Sequence, residues 1–108
     1  MILGGVGLFS KILIVLSALI GFLTAQDAGM NFYENQDFQA AREYYENLLI
    51  QRGNHPEVQF GRGASSFQQG DLETAKKAFE QSLQSKDKSL QAKTLYNLGN
   101  TVFQNEKK

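Results

Sequence analysis

Two patterns of apolar residues divide the chain near residue 25. Residues 1–25 (MILGGVGLFSKILIVLSALIGFLTA) are apolar almost throughout, and Lys11 is their only charged residue. Beyond residue 28 the apolar residues recur every three or four positions, as in the stripe Leu72, Ala75, Phe79 and Leu83. This spacing places side chains on one face of an α-helix. The pattern predicts an all-α protein in which an N-terminal hydrophobic helix precedes the more polar helices.

The apolar N-terminus has the layout of an export signal, in which Lys11 is followed by an apolar run and a small-residue end at Ala25. A retained membrane anchor over residues 2–23 is the alternative, because about 20 apolar residues cross a bilayer. That anchor would hold Lys11 near the middle of the membrane, at a cost of about 2.5–3.5 kcal/mol. Both alternatives predict that residues 26–108 lie outside the cytoplasmic membrane, either free in the periplasm or tethered.

The more polar part of the chain repeats itself after 34 residues. Residues 28–49 align without a gap on residues 62–83. The identical pairs are Gly29 and Gly63, Asp37 and Asp71, Ala41 and Ala75, Glu46 and Glu80, and Leu49 and Leu83. Aromatic residues also coincide, and these pairs are Tyr33 with Phe67 and Tyr45 with Phe79. The regular shift indicates a duplicated structural unit.

Each copy of the unit predicts two antiparallel helices. In the second copy Pro56 suits the first helical turn, Gly70 ends that helix, and Asp71 is a suitable N-cap for the next one. Glycine inside a helix costs roughly 0.5–1 kcal/mol, so a recurring glycine such as Gly63 predicts a close approach of two helices. We expect the large ring of Phe79 to fill the neighbouring space.

The 34-residue period with this pattern resembles the tetratricopeptide repeat (TPR). The closing stretch AKTLYNLGNTVFQN is similar to the first helix of a third unit. The resemblance implies a helix-turn-helix solenoid over residues 26–108, with repeats at about 26–55 and 56–89 and the first helix of a third at 90–105. The apolar character of that last helix favours a chain that is a fragment and continues into a partner helix, and a capping helix is the alternative.

A narrower resemblance joins the apolar N-terminus, the repeats and the stretch SLQSKDKSLQAKTLYNLGNTVFQ. In this combination the chain is similar to the small exported TPR proteins of bacterial aerotolerance (Bat) operons. Such proteins are encoded beside membrane proteins that carry von Willebrand factor A domains. The resemblance therefore implies a protein of the cell envelope whose partner is a membrane protein of that kind.

Composition and charge exclude several classes of function. The chain has no Cys, and its 11 basic and 11 acidic residues are interspersed. This leaves no disulfide, no thiolate metal site and no positively charged face for nucleic acid. The only His, His55, cannot assemble a metal site or a triad and is expected in a turn or at an N-cap. Ser65 and Ser66 have no base nearby in the sequence. We therefore expect no enzyme, no catalytic residue, no metal and no cofactor.

The TPR resemblance implies a binding groove, because the first helices of successive repeats line a concave surface that accepts an extended or helical peptide. The positions carried over to this groove are Met30, Tyr33, Glu34, Phe60, Ala64, Phe67, Gln68, Lys93, Tyr96, Asn97, Asn100 and Gln104. Asn97 and Asn100 are suited to a ligand's backbone amides, since a side-chain amide both donates and accepts hydrogen bonds. Local hydrogen bonding is their alternative role, and core packing is the alternative for Tyr33 and Phe67.

One binding mode of TPR domains is not expected here. Some of these domains hold a partner's C-terminal carboxylate in a clamp of five positions that includes two Lys and two Asn. Three of the five matching positions depart from that pattern, and the five are Gln26, Met30, Gly61, Lys93 and Asn97. A receptor for chaperone tails is therefore disfavoured.

Together these expectations describe a non-catalytic adaptor of the bacterial cell envelope that binds a protein or peptide partner, such as a membrane protein, in its TPR groove. Residues 2–23 would add membrane contact if they are not cleaved. The rival hypothesis is an envelope assembly or transport factor that handles diverse cargo. A structural spacer without a ligand is a third hypothesis, which predicts that substitutions in the groove have no effect.

Overall fold

The computed structural model describes residues 28–107, and this part of the chain contains five α-helices and no strand. The described part of α1 covers residues 28–34. The others are α2 (Phe38–Arg52), α3 (Pro56–Gln68), α4 (Leu72–Ser82) and α5 (Lys88–Glu106). The predicted all-α class is confirmed, and the predicted N-terminal hydrophobic helix lies outside the described residues. None of the described helices has the length and apolar character needed to cross a membrane.

The helices are arranged as two successive hairpins and one further helix. Three residues connect α1 to α2 and again α3 to α4. In each connection an aspartate caps the second helix: the Asp37 carboxylate accepts from the Ala40 N–H at 3.1 Å and the Asp71 carboxylate from the Thr74 N–H at 3.2 Å. Gly70 adopts a left-handed conformation (φ 80°) at the end of α3. The predicted helix start at Pro56, turn at Gly70 and cap at Asp71 are confirmed.

In each hairpin a glycine of the first helix packs beneath an aromatic ring of the second helix. A Cβ atom on Gly29 would lie 2.6 Å from Cζ of Tyr45, and a Cβ atom on Gly63 would lie 2.8 Å from Cδ1 of Phe79. Carbon atoms pack at about 3.5–4.0 Å, so neither position has room for a side chain. The predicted close approach is confirmed in both copies. Ala41 and Ala75, one turn before the two rings, are fully buried.

Contacts between the hairpins differ in chemistry along the array. Where α2 meets α3, the Tyr45 ring also covers Gly61, whose Cβ would lie 2.5 Å from the Tyr45 Cζ. Where α4 meets α5, small polar groups fill the interface. The Ser82 hydroxyl lies 3.2 Å from the Thr94 hydroxyl of α5, and it also donates to the Pro56 carbonyl at the start of α3 at 2.8 Å. An aromatic ring thus packs at the junction of α2 and α3, whereas a contact between two hydroxyl groups joins α4 to α5.

Charged groups add a link between the first hairpin and the second. The Arg42 guanidinium lies 2.9 Å from carboxylate oxygens of both Glu46 and Asp71. It also donates to the Gln69 amide oxygen at 3.1 Å. These contacts raise the pKa of Arg42, with the Glu46 hydrogen bond as the largest cause. Because the α4 N-cap is one of its partners, Arg42 connects α2 to the start of α4.

Candidate functional site

A cavity of about 430 Å³ lies between the two hairpins and reaches α5. Met30 and Tyr33 line it from α1, and Asn97 lines it from α5. Tyr45 and Leu48 contribute from α2, while the α3 residues are Glu57, Val58, Phe60, Gly61 and Ala64. The volume is within the about 300–1,000 Å³ typical of ligand sites in proteins. The cavity is the candidate site.

The packing of Tyr45 against glycine explains why a cavity forms there. The Tyr45 ring lies between Gly29 of α1 and Gly61 of α3, so only the thickness of this ring separates the two backbones there. On α3, the residues one turn before and after Gly61 are then Val58 and Ala64, which are both half-buried and both line the cavity. The short Ala64 side chain leaves space that a larger one would fill. The cavity is therefore a product of the same residues that stack the hairpins.

The walls of the cavity are mainly apolar, and its polar groups are few. Met30 is 51% exposed, which leaves a flexible thioether side chain available to a ligand. Burial raises the pKa of the Tyr45 phenol, so this ring remains neutral near physiological pH. Glu57 supplies a carboxylate, and Asn97 supplies a side-chain amide. Such a site suits a bulky apolar group that is oriented by one or two polar contacts.

The Asn97 amide is already partly used within its own helix. Its Nδ2 group donates to the Lys93 carbonyl at 2.8 Å. An amide offers two N–H donors and an oxygen acceptor, so this bond leaves capacity for a ligand. Asn97 thus makes the local hydrogen bond that was its alternative role and also lines the cavity.

The structure brings five of the twelve predicted groove residues together at the cavity: Met30, Tyr33, Phe60, Ala64 and Asn97. Tyr33 has a second role, because its ring packs edge-on against Phe38 at a centroid distance of 5.2 Å. Phe60 also packs against Phe79, with 5.7 Å between centroids. These two aromatic residues therefore contact both the core and the cavity.

The other seven predicted residues do not line the cavity. Gln68 is linked to it, because its side-chain amide donates to the Tyr33 hydroxyl at 3.3 Å. Phe67 is half-buried, and the remaining five are exposed: Glu34, Lys93, Tyr96, Asn100 and Gln104. Their assignment to a binding groove stays a prediction.

Five lining residues were not among the predicted groove positions: Tyr45, Leu48, Glu57, Val58 and Gly61. Tyr45 and Leu48 belong to the second helix of their hairpin, whereas the resemblance directed attention to first helices. Leu48 lies three residues after Tyr45 and thus on the same face of α2, a signal that was available in the sequence. Val58 and Gly61 are likewise within one turn of Phe60.

Within residues 28–107 no group of three or more His, Asp or Glu side chains is placed to hold a metal ion. His55 occupies the N-cap position of α3 without a side-chain capping bond, and its Nε2 atom lies 3.0 Å from the Arg52 carbonyl. Ser65 donates to the Gly61 carbonyl within its own helix at 2.9 Å. These side chains have local structural roles.

Comparison with known proteins agrees with this architecture. The tetratricopeptide repeat family model matches residues 27–90, which include both copies of the 34-residue unit. Neither the curated proteins nor the solved structures gave a match to the chain. The family match covers more than half of the sequence, and it includes both hairpins in which a glycine packs under an aromatic ring. We conclude that the chain belongs to the tetratricopeptide repeat family.

Proposed function

We propose that this chain is a non-catalytic adaptor of the bacterial cell envelope that holds a partner protein through the cavity between its hairpins. The cavity carries the proposal, because its walls are apolar and it lies on the side of α3 that faces both α1 and α5. TPR proteins generally mediate protein–protein interactions and are typically scaffolds without catalytic activity. The adaptor role is consistent with both observations.

The chemistry of the cavity suggests what the partner presents. Apolar walls favour a bulky apolar side chain, because its transfer from water contributes about 25 cal/mol per Å² of buried surface. The Asn97 amide is suited to a backbone amide of the same segment, and Glu57 to a basic residue beside it. The proposed ligand is therefore a peptide segment with an exposed apolar side chain and a neighbouring Lys or Arg.

The proposed location and partner come from the sequence. The apolar residues 1–25 support an export signal or a membrane anchor, with the repeats in the periplasm or tethered to the membrane. The resemblance to the TPR proteins of aerotolerance operons supports a membrane protein with a von Willebrand factor A domain as the partner. An assembly or transport factor that handles diverse cargo is the alternative function.

The test fills the cavity and asks whether the partner is lost. Ala64→Phe places a ring in the space above α3, and Lys76→Phe adds the same ring on the exposed surface of α4 as a matched control. Full-length tagged variants would be cross-linked in intact cells, and the captured proteins identified by mass spectrometry. We expect one dominant membrane protein with the unchanged chain and with Lys76→Phe, and its loss with Ala64→Phe.

Two outcomes would overturn the proposal. Equal capture by all three proteins would show that the cavity does not bind the partner. Capture of many unrelated envelope proteins, lost with Ala64→Phe, would instead favour the cargo-handling alternative. Circular dichroism of the purified Ala64→Phe variant checks that its helices are intact, so that lost capture reports the site.

A further inference from the structure

A continuous series of polar contacts crosses the junction between the two hairpins. The Nε atoms of Arg42 and Arg62 lie 2.9 Å and 3.4 Å from the same carboxylate oxygen of Glu46. Arg62 also donates to the Gln59 amide oxygen at 3.5 Å. From Gln59 the series continues through Asn54 to an amide of α4, with 3.0 Å at each step. We call this set the polar seam, and its residues are Arg42, Glu46, Asn54, Gln59, Arg62 and Gln81.

The polar seam and the cavity lie on opposite sides of the contact between α2 and α3. On α3, Gln59 is about 140–160° around the helix axis from the cavity residues Gly61 and Ala64. On α2, Glu46 is about 160° from the cavity residue Leu48. A rotation between the hairpins that widens the gap on one side of this contact must therefore narrow the gap on the other side.

The apolar part of the same contact does not define the rotation by itself. The Tyr45 ring lies on the bare backbone of Gly61, so no side chain interlocks with the ring at that point. Burial of apolar surface is also non-directional. A guanidinium, in contrast, holds its acceptors in a fixed planar geometry. Arg42 lies 2.9 Å from both Glu46 of the first hairpin and Asp71, the N-cap of α4 in the second.

The residues of the polar seam are not repeated at the next junction, between the second hairpin and α5. Lys76 stands 34 residues after Arg42, and it is exposed. Leu98 stands 36 residues after Arg62, which is the shift that aligns α5 with α3. An arginine that joins two hairpins is thus replaced by an exposed lysine, and the second arginine by an apolar residue. The seam belongs to the junction that forms the cavity and not to the repeat in general.

We propose that the polar seam sets the rotation between the hairpins and thereby the width of the cavity, with Arg42 as the positioning residue. The effect on binding rests on the proposed function, in which the cavity holds the partner. Without the Arg42 guanidinium, the start of α4 is no longer tied to α2, so the seam side opens and the cavity narrows. Affinity then falls in proportion to the fraction of chains whose cavity remains open.

Distances between paired spin labels test the rotation in the full chain without any partner. The protein has no Cys, so two introduced cysteines are the only labelling sites. Asn47→Cys with Glu80→Cys spans the seam side from α2 to α4, and Asn31→Cys with Asn100→Cys spans the cavity side from α1 to α5. All four positions are exposed. We expect Arg42→Met, which keeps an unbranched side chain without the charge, to lengthen the first distance and shorten the second.

A matched control is available at the equivalent position of the second hairpin. Lys76→Met makes the same kind of change there and should alter neither distance. If Arg42→Met prevents folding, as circular dichroism would show, Glu46→Gln removes the shared carboxylate charge with little change of shape and should give the same two shifts in smaller size. Unchanged distances in the folded variant would overturn the proposal. Equal broadening of both distances would also overturn it, because this would indicate general loosening and not a rotation.

Capture of the partner in intact cells then connects the rotation to the cavity. Arg42 does not line the cavity. Even so, Arg42→Met should lower capture at least about fivefold, as expected if about one chain in five keeps an open cavity, while Lys76→Met leaves capture unchanged. Shifted distances with unchanged capture would overturn control of the cavity by the seam and leave the adaptor function in place. A failure of the adaptor function differs, since the unchanged chain would then capture no partner that Ala64→Phe removes, and the two distances alone would decide whether the seam sets the rotation.

Discussion

Helices α3 and α5 share a pattern of residues but differ in their surroundings. Each has a central glycine, Gly63 or Gly99, with a phenylalanine four residues later. α3 lies between α2 and α4, whereas α5 packs against α4 and more lightly against α3. Gly63 is therefore buried under a ring, and Gly99 is exposed. A helix pattern in a repeat protein thus specifies a potential contact, and the neighbouring helix decides whether the contact is core or surface.

The largest expected effect is the loss of stability when an aromatic ring is removed from the core, compared with removal of a ring from the surface. Phe79 is fully buried over Gly63, so Phe79→Ala should lower the free energy of unfolding by about 3–5 kcal/mol. Phe103, which is 56% exposed, should change it by no more than about 0.5 kcal/mol when replaced by alanine. Urea unfolding followed by far-UV circular dichroism measures both. Equal losses would mean that α5 is as well covered as α4.

The two central glycines give the second comparison. Gly63→Ala places a methyl group 2.8 Å from the Phe79 ring and should destabilise the protein by about 1–3 kcal/mol. Gly99→Ala meets nothing in the described chain and should stabilise it by about 0.5–1 kcal/mol through helix propensity. Urea unfolding followed by far-UV circular dichroism measures both changes. A loss of stability from Gly99→Ala would show that this backbone is in contact.

The contrast between these helices also shows what the sequence could and could not predict. The recurring glycine correctly predicted a close helix approach in each hairpin, where Gly29 lies under Tyr45 and Gly63 under Phe79, because each contact lies within one hairpin and repeats with it. The contact of Tyr45 with Gly61 was not predicted, since it joins different hairpins. A period indicates which residues are equivalent, but the stacking of units decides which non-equivalent residues meet.

The residues that line the cavity could likewise be predicted only where they belong to one repeat unit and not where the stacking of units brings them together. First-helix positions such as Met30 and Ala64 could be assigned from the resemblance, and they line the cavity. Leu48 and Glu57 line it as well, because the packing of α2 on α3 brings the end of one helix beside the start of the next. That geometry depends on the rotation between hairpins. The pattern within one unit places Leu48 on the same face of α2 as Tyr45, but it does not record that rotation.

Two buried serines compare a satisfied hydroxyl with an unsatisfied one. The Ser82 hydroxyl of α4 donates to the Pro56 carbonyl of α3, so Ser82→Ala should lower the free energy of unfolding by about 1–2 kcal/mol. Ser66 is fully buried in α3, and its hydroxyl has no partner within the described residues. Ser66→Ala should therefore be neutral or stabilising by up to about 1 kcal/mol. If Ser66→Ala destabilised the protein as much as Ser82→Ala, an unseen partner of Ser66 would be indicated.

The turns of the two hairpins differ at one equivalent position. Gln36 has a left-handed conformation (φ 63°) where the second hairpin has Gly70 (φ 80°). The left-handed conformation costs a residue with a Cβ atom roughly 1–2 kcal/mol, whereas glycine adopts it without this steric cost. We expect Gln36→Gly to stabilise the protein by about 0.5–1 kcal/mol and the reciprocal Gly70→Gln to destabilise it by a similar amount. Thermal unfolding of both variants checks the pair, and changes of the same sign would contradict it.

The smallest expected effect concerns pH and the N-cap of α4. Hydrogen bonds from Thr74, with a further contribution from Arg42, hold the pKa of Asp71 below its ordinary value of 3.8. A carboxylate whose pKa is lower in the folded state stabilises that state above the unfolded pKa, and the contribution is lost as pH falls through the folded pKa. Asp71→Asn keeps a capping side chain but cannot ionise.

The stability difference between the unchanged protein and Asp71→Asn should therefore be constant at neutral pH and shrink below about pH 4. Urea midpoints measured across this range provide the test. A difference for Asp71 that stays unchanged through the acid range would mean that its charge, and with it the link through Arg42 to the first hairpin, does not contribute to stability.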